Sequence, residues 1–305
     1  MISDETYASR ISAVIEKCGR NRDGNDPTVI PIRHYKDIFN RLKQNRDMQK
    51  KERALILAKK TGKLIYPGAP VCQDFGNKNF YYTSLIMNCP FDCEYCYLQG
   101  MYPSGYTVIF LNIEDVFAET EALLKEHTVY LCVSYDTDLP ALEGLTGYVR
   151  LWEDFVRRHG DLTVEVRTKA AGSLYFAREG CTVVPGDMHT ECKSAAGVNP
   201  VPEATEGAKN RLIFAFTLSP DEIIKAYEHG TPPLSARLKA ARAAMDAGYS
   251  LRLCFDPLLY VPDFERIYSG MIEGVEKEID LSKVRDISIG TFRMSTEYLK
   301  VIRRQ

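Results

Sequence analysis

The chain has 305 residues, 45% of them hydrophobic, and its 39 basic side chains nearly balance 41 acidic ones. A chain of this length can bury one large core, and α/β barrels of this size often form a single domain. The near-neutral charge excludes a nucleic-acid binder defined by overall positive charge, so any such surface must be a local patch.

The first residues carry neither the basic start nor the apolar run of a secretory signal. No uninterrupted apolar segment approaches the ~20 residues needed to span a bilayer. We therefore expect a cytoplasmic protein with no membrane partner. Because the cytosol keeps thiols reduced, the nine cysteines are not expected to form a disulfide framework.

Residues 1–79 are predicted to form a helical N-terminal extension, with its main helix over 34–60. Basic residues dominate the second half of this stretch. Asp47 and Glu52 there accompany Arg41, Lys43, Arg46, Lys50, Lys51, Arg53, Lys59, Lys60 and Lys63. The pattern is typical of a solvated helix face, and the alternative is a stripe that faces phosphates.

From residue 80 onward, short apolar runs alternate with longer amphipathic ones. Strands are predicted at 80–87, 128–134, 162–168, 212–218, 250–255 and 285–289. Helices are predicted at 112–126, 144–159, 220–228 and 234–247, with Gly248 as a C-cap and a further helical run before the last strand. This βα repeat over 80–305 predicts a parallel sheet with helices outside it, in an open or partial barrel.

One segment, at about 180–209, interrupts this repeat. It contains Cys181, His189 and Cys192 together with several prolines and glycines. The composition predicts a long loop, and loops of this length are usually functional or disordered.

Three cysteines, Cys89, Cys93 and Cys96, directly follow the first predicted strand of the repeat with the spacing C-x3-C-x2-C. In a barrel the carboxyl end of a strand opens onto the active-site face. Three thiolates on one loop can each bind one iron of a cubane cluster and leave the fourth iron open for a ligand. The cysteines are therefore predicted to hold a 4Fe-4S cluster.

Two other interpretations of the cysteines compete with the cluster. A structural zinc ion normally takes four ligands, often as two separated pairs, and here Cys181, His189 or Cys192 would have to supply the fourth. Chance clustering of buried cysteines is the other alternative. The close spacing and the aromatic residue before the last cysteine favour the iron–sulfur site over both.

The C-x3-C-x2-C motif resembles the signature of the radical S-adenosylmethionine superfamily, and its surroundings, residues 93–99, resemble the spore photoproduct lyase family in particular. The similarity runs from about residue 30 to the end, apart from the segment at 180–209. Its further motifs lie at 55–63, 142–147, 168–169, 216–219, 228–231, 236–238 and 246–249. The resemblance implies a partial (β/α)6 TIM-like barrel of the radical SAM type with a helical N-terminal extension.

The resemblance also implies an activity. In that family a 4Fe-4S cluster, here bound by Cys89, Cys93 and Cys96, passes one electron to S-adenosyl-L-methionine. The resulting 5′-deoxyadenosyl radical starts the cleavage of a thymine dimer in DNA, which makes the enzyme a carbon–carbon lyase. The implied partners are DNA that contains a thymine lesion and an electron donor such as a flavodoxin or a ferredoxin.

The resemblance also implies roles for individual residues. Tyr95 and Tyr97, which flank the third ligand, match tyrosines of a hydrogen-transfer relay. The predicted cofactor-binding residues all lie at or just after strand ends, and they are Thr137, Asp138, Lys169 and Thr217.

The chain departs from the family where a cysteine acts as hydrogen donor, because Tyr135 stands at that position. Cys132 lies three residues earlier, and an odd offset along a strand turns a side chain to the opposite face. Cys181 or Cys192 could replace the donor, or Tyr135 itself could join the relay. A radical enzyme with a different substrate (a peptide, an RNA or a small molecule) therefore stays open, as does a non-enzymatic metal-binding protein.

Two further features would suit contact with DNA. Phosphate partners are available in the basic residues near the C-terminus, Arg293, Lys300, Arg303 and Arg304. Tyr260, with Pro257 and Pro262 nearby, would suit a loop that wedges into the duplex, although a plain surface loop is the more common explanation of such a residue.

Overall fold

The computed structural model describes residues 4–19, 26–52, 54–70, 72–172 and 206–304. Its helices are α1 Asp4–Cys18, α2 Lys36–Phe39, α3 Arg46–Glu52, α4 Leu98–Met101, α5 Ile113–Leu124, α6 Glu143–Thr146, α7 Tyr148–Arg158, α8 Glu206–Arg211, α9 Asp221–Tyr227, α10 Leu234–Asp246, α11 Phe264–Glu278 and α12 Thr296–Ile302. Across these ranges no helix is both long and apolar enough to cross a bilayer.

The described residues also form strands, which alternate with these helices from residue 80 onward. They are β1 Leu55–Ala58, β2 Ile65–Pro67, β3 Phe80–Thr83, β4 Ile86–Met87, β5 Asp92–Cys93, β6 Thr107–Phe110, β7 Val129–Cys132, β8 Leu162–Thr168, β9 Leu212–Thr217, β10 Glu228–His229, β11 Ser250–Leu258 and β12 Asp286–Thr291.

The main sheet of the described residues has the strand order β12-β11-β9-β8-β7-β3-β2. Six of these strands run parallel, namely β3, β7, β8, β9, β11 and β12. Strand β2 pairs antiparallel with β3 at the edge. Parallel neighbours need crossover connections, which the helices supply on the outer face. This is the partial (β/α)6 barrel predicted from the sequence.

The two faces of this sheet differ in polarity. Alternate residues on the outer face, such as Val164, Phe214 and Leu253, are fully or almost fully buried and belong to the main core with the helices. The intervening residues include charged ones, such as Glu165 and Arg252. Because side chains alternate along a strand, the sheet has an apolar outer face and a polar concave face.

A buried ion network occupies part of that concave face. Arg252 donates to Glu165 and to Asp286, and its Nη1 also donates to the hydroxyl of Tyr130 over 2.7 Å. The Phe75 ring covers the guanidinium at 3.2 Å from its centroid. Charges taken out of water need such partners on every side.

The region before residue 80 corrects one prediction. Helices α1, α2 and α3 lie there, but the helix expected over 34–60 is wrong, because residues 55–58 form strand β1 and pair in parallel with β6. Ile56 and Ala58 are buried while Leu55 and Leu57 are only partly so, which is the period of a strand. A partner strand fifty residues away overrides the local helical propensity.

The basic stripe between 41 and 63 is not one surface either. Arg46 is buried, and its Nη1 donates to the backbone carbonyls of Tyr102 and Ser104. Lys60 is also largely enclosed, with its Nζ 2.8 Å from the carbonyl oxygen of Ser84. Burial lowers the pKa of Lys60 to about 8.

Some element boundaries also differ from those predicted. The strand expected at 80–87 divides into β3 and β4, which belong to different sheets. The helix expected at 144–159 is interrupted at Gly147, whose φ of 65° lies in the left-handed region. Strand β6 was not predicted. The segment at 180–209 falls largely outside the described residues, together with Cys181, His189 and Cys192, and the domain division at residue 79 stays a prediction.

A pH-dependent contribution to stability is expected from Glu143. Its carboxylate accepts hydrogen bonds from the amides of Val149 (2.8 Å) and Arg150 (3.1 Å). Burial nevertheless raises its pKa from 4.5 to about 7. The folded state therefore holds the proton more tightly than the unfolded state between these values, so the free energy of unfolding falls as the pH rises through this window.

Glu143→Gln should flatten that dependence by on the order of 2 kcal/mol between pH 4.5 and 7. Urea unfolding of the cluster-free protein across this range measures the effect, with exposed Glu276→Gln as the control. Parallel pH profiles for the wild type and Glu143→Gln would contradict the assignment.

Candidate active site

The turn before the cysteine loop is fixed by Asn88. Its φ of 68° lies in the left-handed region, which asparagine tolerates better than most residues. The buried side-chain amide donates to the carbonyls of Ser104 and Tyr106, each over 2.7 Å. The loop is therefore anchored where it leaves β4, independently of any metal.

The middle of the cysteine loop is joined to the barrel. Strand β5, which contains Cys93, pairs antiparallel with β10 in the register Glu228↔Cys93. The next residue, Glu94, donates its amide to the carbonyl of Tyr227 over 2.8 Å and pairs through its carboxylate with His229 at 2.7 Å. These contacts hold the loop beside the carboxyl ends of the barrel strands.

The three thiols at 89, 93 and 96 are free of disulfides. Burial raises the pKa of each, that of Cys93 to about 12, while the nearby ammonium of Lys169 opposes the shift at Cys93 and Cys96. A small cavity beside Cys89 and Cys96 is also lined by the basic side chains of Arg46 and Lys50. Thiols that lie near cations match the needs of an anionic thiolate cluster.

The cysteine thiols that the structure describes are not arranged as ligands of a single metal ion. Within the described ranges, no three His, Cys, Asp or Glu side chains meet as ligands of one metal ion. A cubane cluster instead requires one thiolate on each of three separate irons. The loop supplies soft sulfur donors in that number, so the donor set fits a 4Fe-4S cluster.

Tyr95 is held by a buried polar network. Its hydroxyl donates to Glu228, which also accepts from Ser219 over 2.7 Å and from Arg237. The side chains of Glu228 and Arg237 are both 0% exposed. Burial would raise the pKa of Glu228, but Lys169 and Arg237 outweigh it and lower the value.

Tyr97 and Tyr135 contact each other. The Tyr97 hydroxyl donates to the backbone carbonyl of Tyr135 over 2.7 Å, and the two rings meet edge to face at 6.5 Å. Tyr135 also stacks on Tyr82 at 4.1 Å. Of the three tyrosines predicted to act in catalysis, the structure brings together Tyr97 and Tyr135, whereas the hydroxyl of Tyr95 is bound to Glu228.

The strand alternation that disfavours Cys132 as a hydrogen donor does not extend to Tyr135. Strand β7 ends at Cys132, so Tyr135 lies on the loop that follows. Sequence reasoning also missed Cys72, whose Sγ is 3.3 Å from the hydroxyl of Tyr135. No pattern in the sequence links these two residues, since they are 63 positions apart.

The predicted cofactor-binding residues lie at neighbouring strand ends. Thr137 and Asp138 follow β7, Lys169 follows β8 and Thr217 ends β9. The buried hydroxyl of Thr137 has no hydrogen-bond partner in the described structure, which suits a polar ligand. Asp138 instead accepts from the Thr168 hydroxyl (2.7 Å) and from the Lys169 amide (2.6 Å), and so fixes the two loops relative to each other.

The residues predicted to contact DNA differ in their exposure and in their ion pairs. Tyr260 is 93% exposed on the loop after β11, and its ring lies 5.8 Å from that of Phe264. Arg293 pairs with Asp256 at 3.0 Å, and Lys300 pairs with Glu297 at 3.3 Å. Arg293 and Lys300 are exposed, so these ion pairs add little to stability.

Comparisons with known proteins agree with the resemblance. A family model described as spore photoproduct lyase matches residues 195–305. The spore photoproduct lyase of Bacillus subtilis (strain 168) is 25% identical over 213 residues, which are 68% of this chain and 54% of that protein. The chain thus spans about half the length of the curated relatives that it matches.

Solved structures show the same fold. A cysteine-to-alanine mutant of spore photoproduct lyase with dinucleoside spore photoproduct matches with a TM-score of 0.69 and 17% identity, over 99% of this chain and 80% of that one. A double mutant with bound AdoMet and dinucleoside spore photoproduct gives 0.63 and 20%, over 82% and 65%. The resemblance to the spore photoproduct lyase family and the partial barrel fold are thereby confirmed.

Proposed function

We propose that this chain is a radical S-adenosylmethionine enzyme that cleaves a thymine dimer in DNA, as a carbon–carbon lyase of the spore photoproduct lyase kind. The observation that carries the proposal is the three-thiol loop, anchored at the carboxyl end of a partial parallel barrel and adjoined by Tyr97 and Tyr135. Active sites of such barrels are built at this end of the strands.

Cys89, Cys93 and Cys96 would hold a 4Fe-4S cluster, and the unpaired hydroxyl of Thr137 would face S-adenosyl-L-methionine. When both are bound, they supply one-electron cleavage of the cofactor to a 5′-deoxyadenosyl radical. Lys169 would pair with the anionic part of the cofactor, and Thr217 would add a hydroxyl from the next strand end. Asp138 would position Lys169 through its amide.

The protein's own residues orient and protect this chemistry. A second core that contains Phe39, Leu98 and Phe110 packs against Cys89 and Cys96 and excludes water from one side of the loop. Glu228 accepts a hydrogen bond from the Tyr95 hydroxyl and so fixes its ring. Tyr97 and Tyr135 supply two further phenol groups, which contact each other and not Glu228.

The partners follow from the chemistry. The substrate would be DNA that contains a thymine lesion, since related solved proteins bind dinucleoside spore photoproduct. Exposed Tyr260 and the surface cation Arg293 are candidates for contact with the duplex. A flavodoxin or a ferredoxin would supply the electron, and the cytoplasm is the compartment where such donors and reduced thiols occur together.

The test is anaerobic reconstitution with iron and sulfide, reduction with dithionite, and incubation with S-adenosylmethionine and an oligonucleotide that contains spore photoproduct. The expected result is 5′-deoxyadenosine together with restored thymines, while an undamaged oligonucleotide of the same sequence gives no conversion. Formation of 5′-deoxyadenosine with the lesion untouched would reject the substrate. A colourless protein that does not cleave the cofactor would reject the radical mechanism.

A second candidate function keeps the radical chemistry and changes the substrate. The observation in its favour is Tyr135, which occupies the position where the family has its donor cysteine. A different returning hydrogen donor would suit a different substrate radical. The same assay with peptide or RNA substrates in place of the lesion oligonucleotide distinguishes the two functions.

A further inference from the structure

Arg46 is a buried cation next to the cysteine loop. It is the first residue of α3, is 8% exposed, and lines the small cavity that Cys89 and Cys96 also line. Its Nη1 donates to the backbone carbonyls of Tyr102 and Ser104, whereas its Nε is buried and has no hydrogen-bond partner in the described structure. A buried N–H without a protein acceptor is unusual and marks a place where a further acceptor is expected.

The position of Arg46 relative to the cysteine loop is fixed by hydrogen bonds and close packing. The Ser104 carbonyl that accepts from Arg46 over 3.0 Å also accepts from the side-chain amide of Asn88, which anchors the start of the loop, over 2.7 Å. In the next turn of α3, the side chain of Gln49 accepts from the Gly105 amide over 2.7 Å. A Cβ atom at Gly105 would lie only 2.9 Å from the Arg46 carbonyl oxygen, so the two segments pack without spare room. The guanidinium therefore keeps one place beside the cysteines.

The charge of Arg46 has no carboxylate partner among the described residues. Lys50, the other cation that lines the cavity, is paired with Asp92. Burial lowers the pKa of Arg46, and the group that most strongly opposes this shift is Cys96 in its negative form. A buried guanidinium remains protonated and needs an opposite charge nearby. The thiolates that Cys89 and Cys96 would contribute to a cluster supply that charge.

We propose that Arg46 raises the reduction potential of the 4Fe-4S cluster, an inference that rests on the cluster of the proposed function. With three thiolates the oxidised cluster carries a net negative charge, and the electron that reduces it adds another. Net charge and hydrogen bonds to the sulfurs set the potential of such clusters. A fixed cation beside Cys96 therefore stabilises the reduced form more than the oxidised form. The step is the gain of one electron from the donor, and no bond is made or broken at Arg46.

The experiment is an EPR-monitored redox titration of the reconstituted protein without S-adenosylmethionine. Arg46→Gln removes the charge but keeps a donor for the two carbonyls. It should shift the one-electron reduction about tenfold towards the oxidised cluster, which is a potential about 59 mV lower. Arg46→Met should shift the potential in the same direction, and Arg46→Lys, which keeps the charge, should recover most of the wild-type value. A wild-type potential in either neutral variant that binds the cluster, or an equal fall in Arg46→Lys, would overturn the proposal.

Two control variants separate the charge of Arg46 from its packing. Gln49→Leu loosens the contact with Gly105 and changes no charge, and Lys51→Met removes an exposed cation from the same helix. Both should keep the wild-type potential, and a fall in Gln49→Leu as large as that in Arg46→Gln would overturn the proposal in favour of packing. A loaded Arg46→Gln protein with the wild-type potential rejects only the role of Arg46. A wild type that takes up no iron and sulfide rejects the cluster, and with it the proposed function.

Discussion

Replacing any one of Cys89, Cys93 or Cys96 with alanine is expected to leave a folded protein that holds no 4Fe-4S cluster. Each thiolate binds a different iron, so the loss of one leaves the cluster with too few protein ligands. The loop itself should survive, because Asn88 and the β5–β10 pairing anchor it without metal. Formation of 5′-deoxyadenosine should fall by a factor on the order of a thousand or more.

Iron and sulfide content after anaerobic reconstitution, together with thermal unfolding of the cluster-free variants, measures both halves of this prediction. Cys254→Ala is the matched control, since Cys254 is another buried free thiol and lies on β11 of the barrel. It should retain full iron and cofactor cleavage. A Cys89→Ala protein that still cleaves S-adenosylmethionine would show that the cysteine loop is not the cluster site.

The barrel strands could be predicted because their signals are local. Strand β8 matches the predicted 162–168 at both ends, and β9 and α10 each end within a residue of their predicted limits. Each is a continuous apolar or amphipathic run bounded by residues that favour turns or caps. The cysteine spacing is equally local, so the donor set of the candidate site was visible before the fold.

The features that could not be predicted from the sequence depend on contacts between distant parts of the chain. Strand β1 has an apolar run that suits a helix as well as a strand, and its pairing with β6 decides between them. The contact of Cys72 with Tyr135 has no sequence signal, because loops bring these residues together. Arg237 likewise appears as one more basic residue of an amphipathic helix until the fold places it against Glu228.

Arg237→Met is expected to destabilise the fold strongly. It removes the guanidinium that binds Glu228 together with the backbone carbonyls of Thr217 and Pro232. A buried carboxylate that loses its ionic partner typically costs about 3–5 kcal/mol. Because Glu228 also pairs with Cys93 through the backbone, the variant should retain less iron after reconstitution.

Urea unfolding of the cluster-free protein measures this loss. The double variant Glu228→Gln with Arg237→Met removes both charges of the pair, and should recover part of the stability that Arg237→Met loses, because residue 228 no longer has a charge that has lost its guanidinium partner. Arg242→Met is the control on the same helix, since its ion pair with Asp246 is exposed and should be worth less than about 1 kcal/mol. If Arg237→Met were no more destabilising than Arg242→Met, the buried pair would not hold β10 against the barrel.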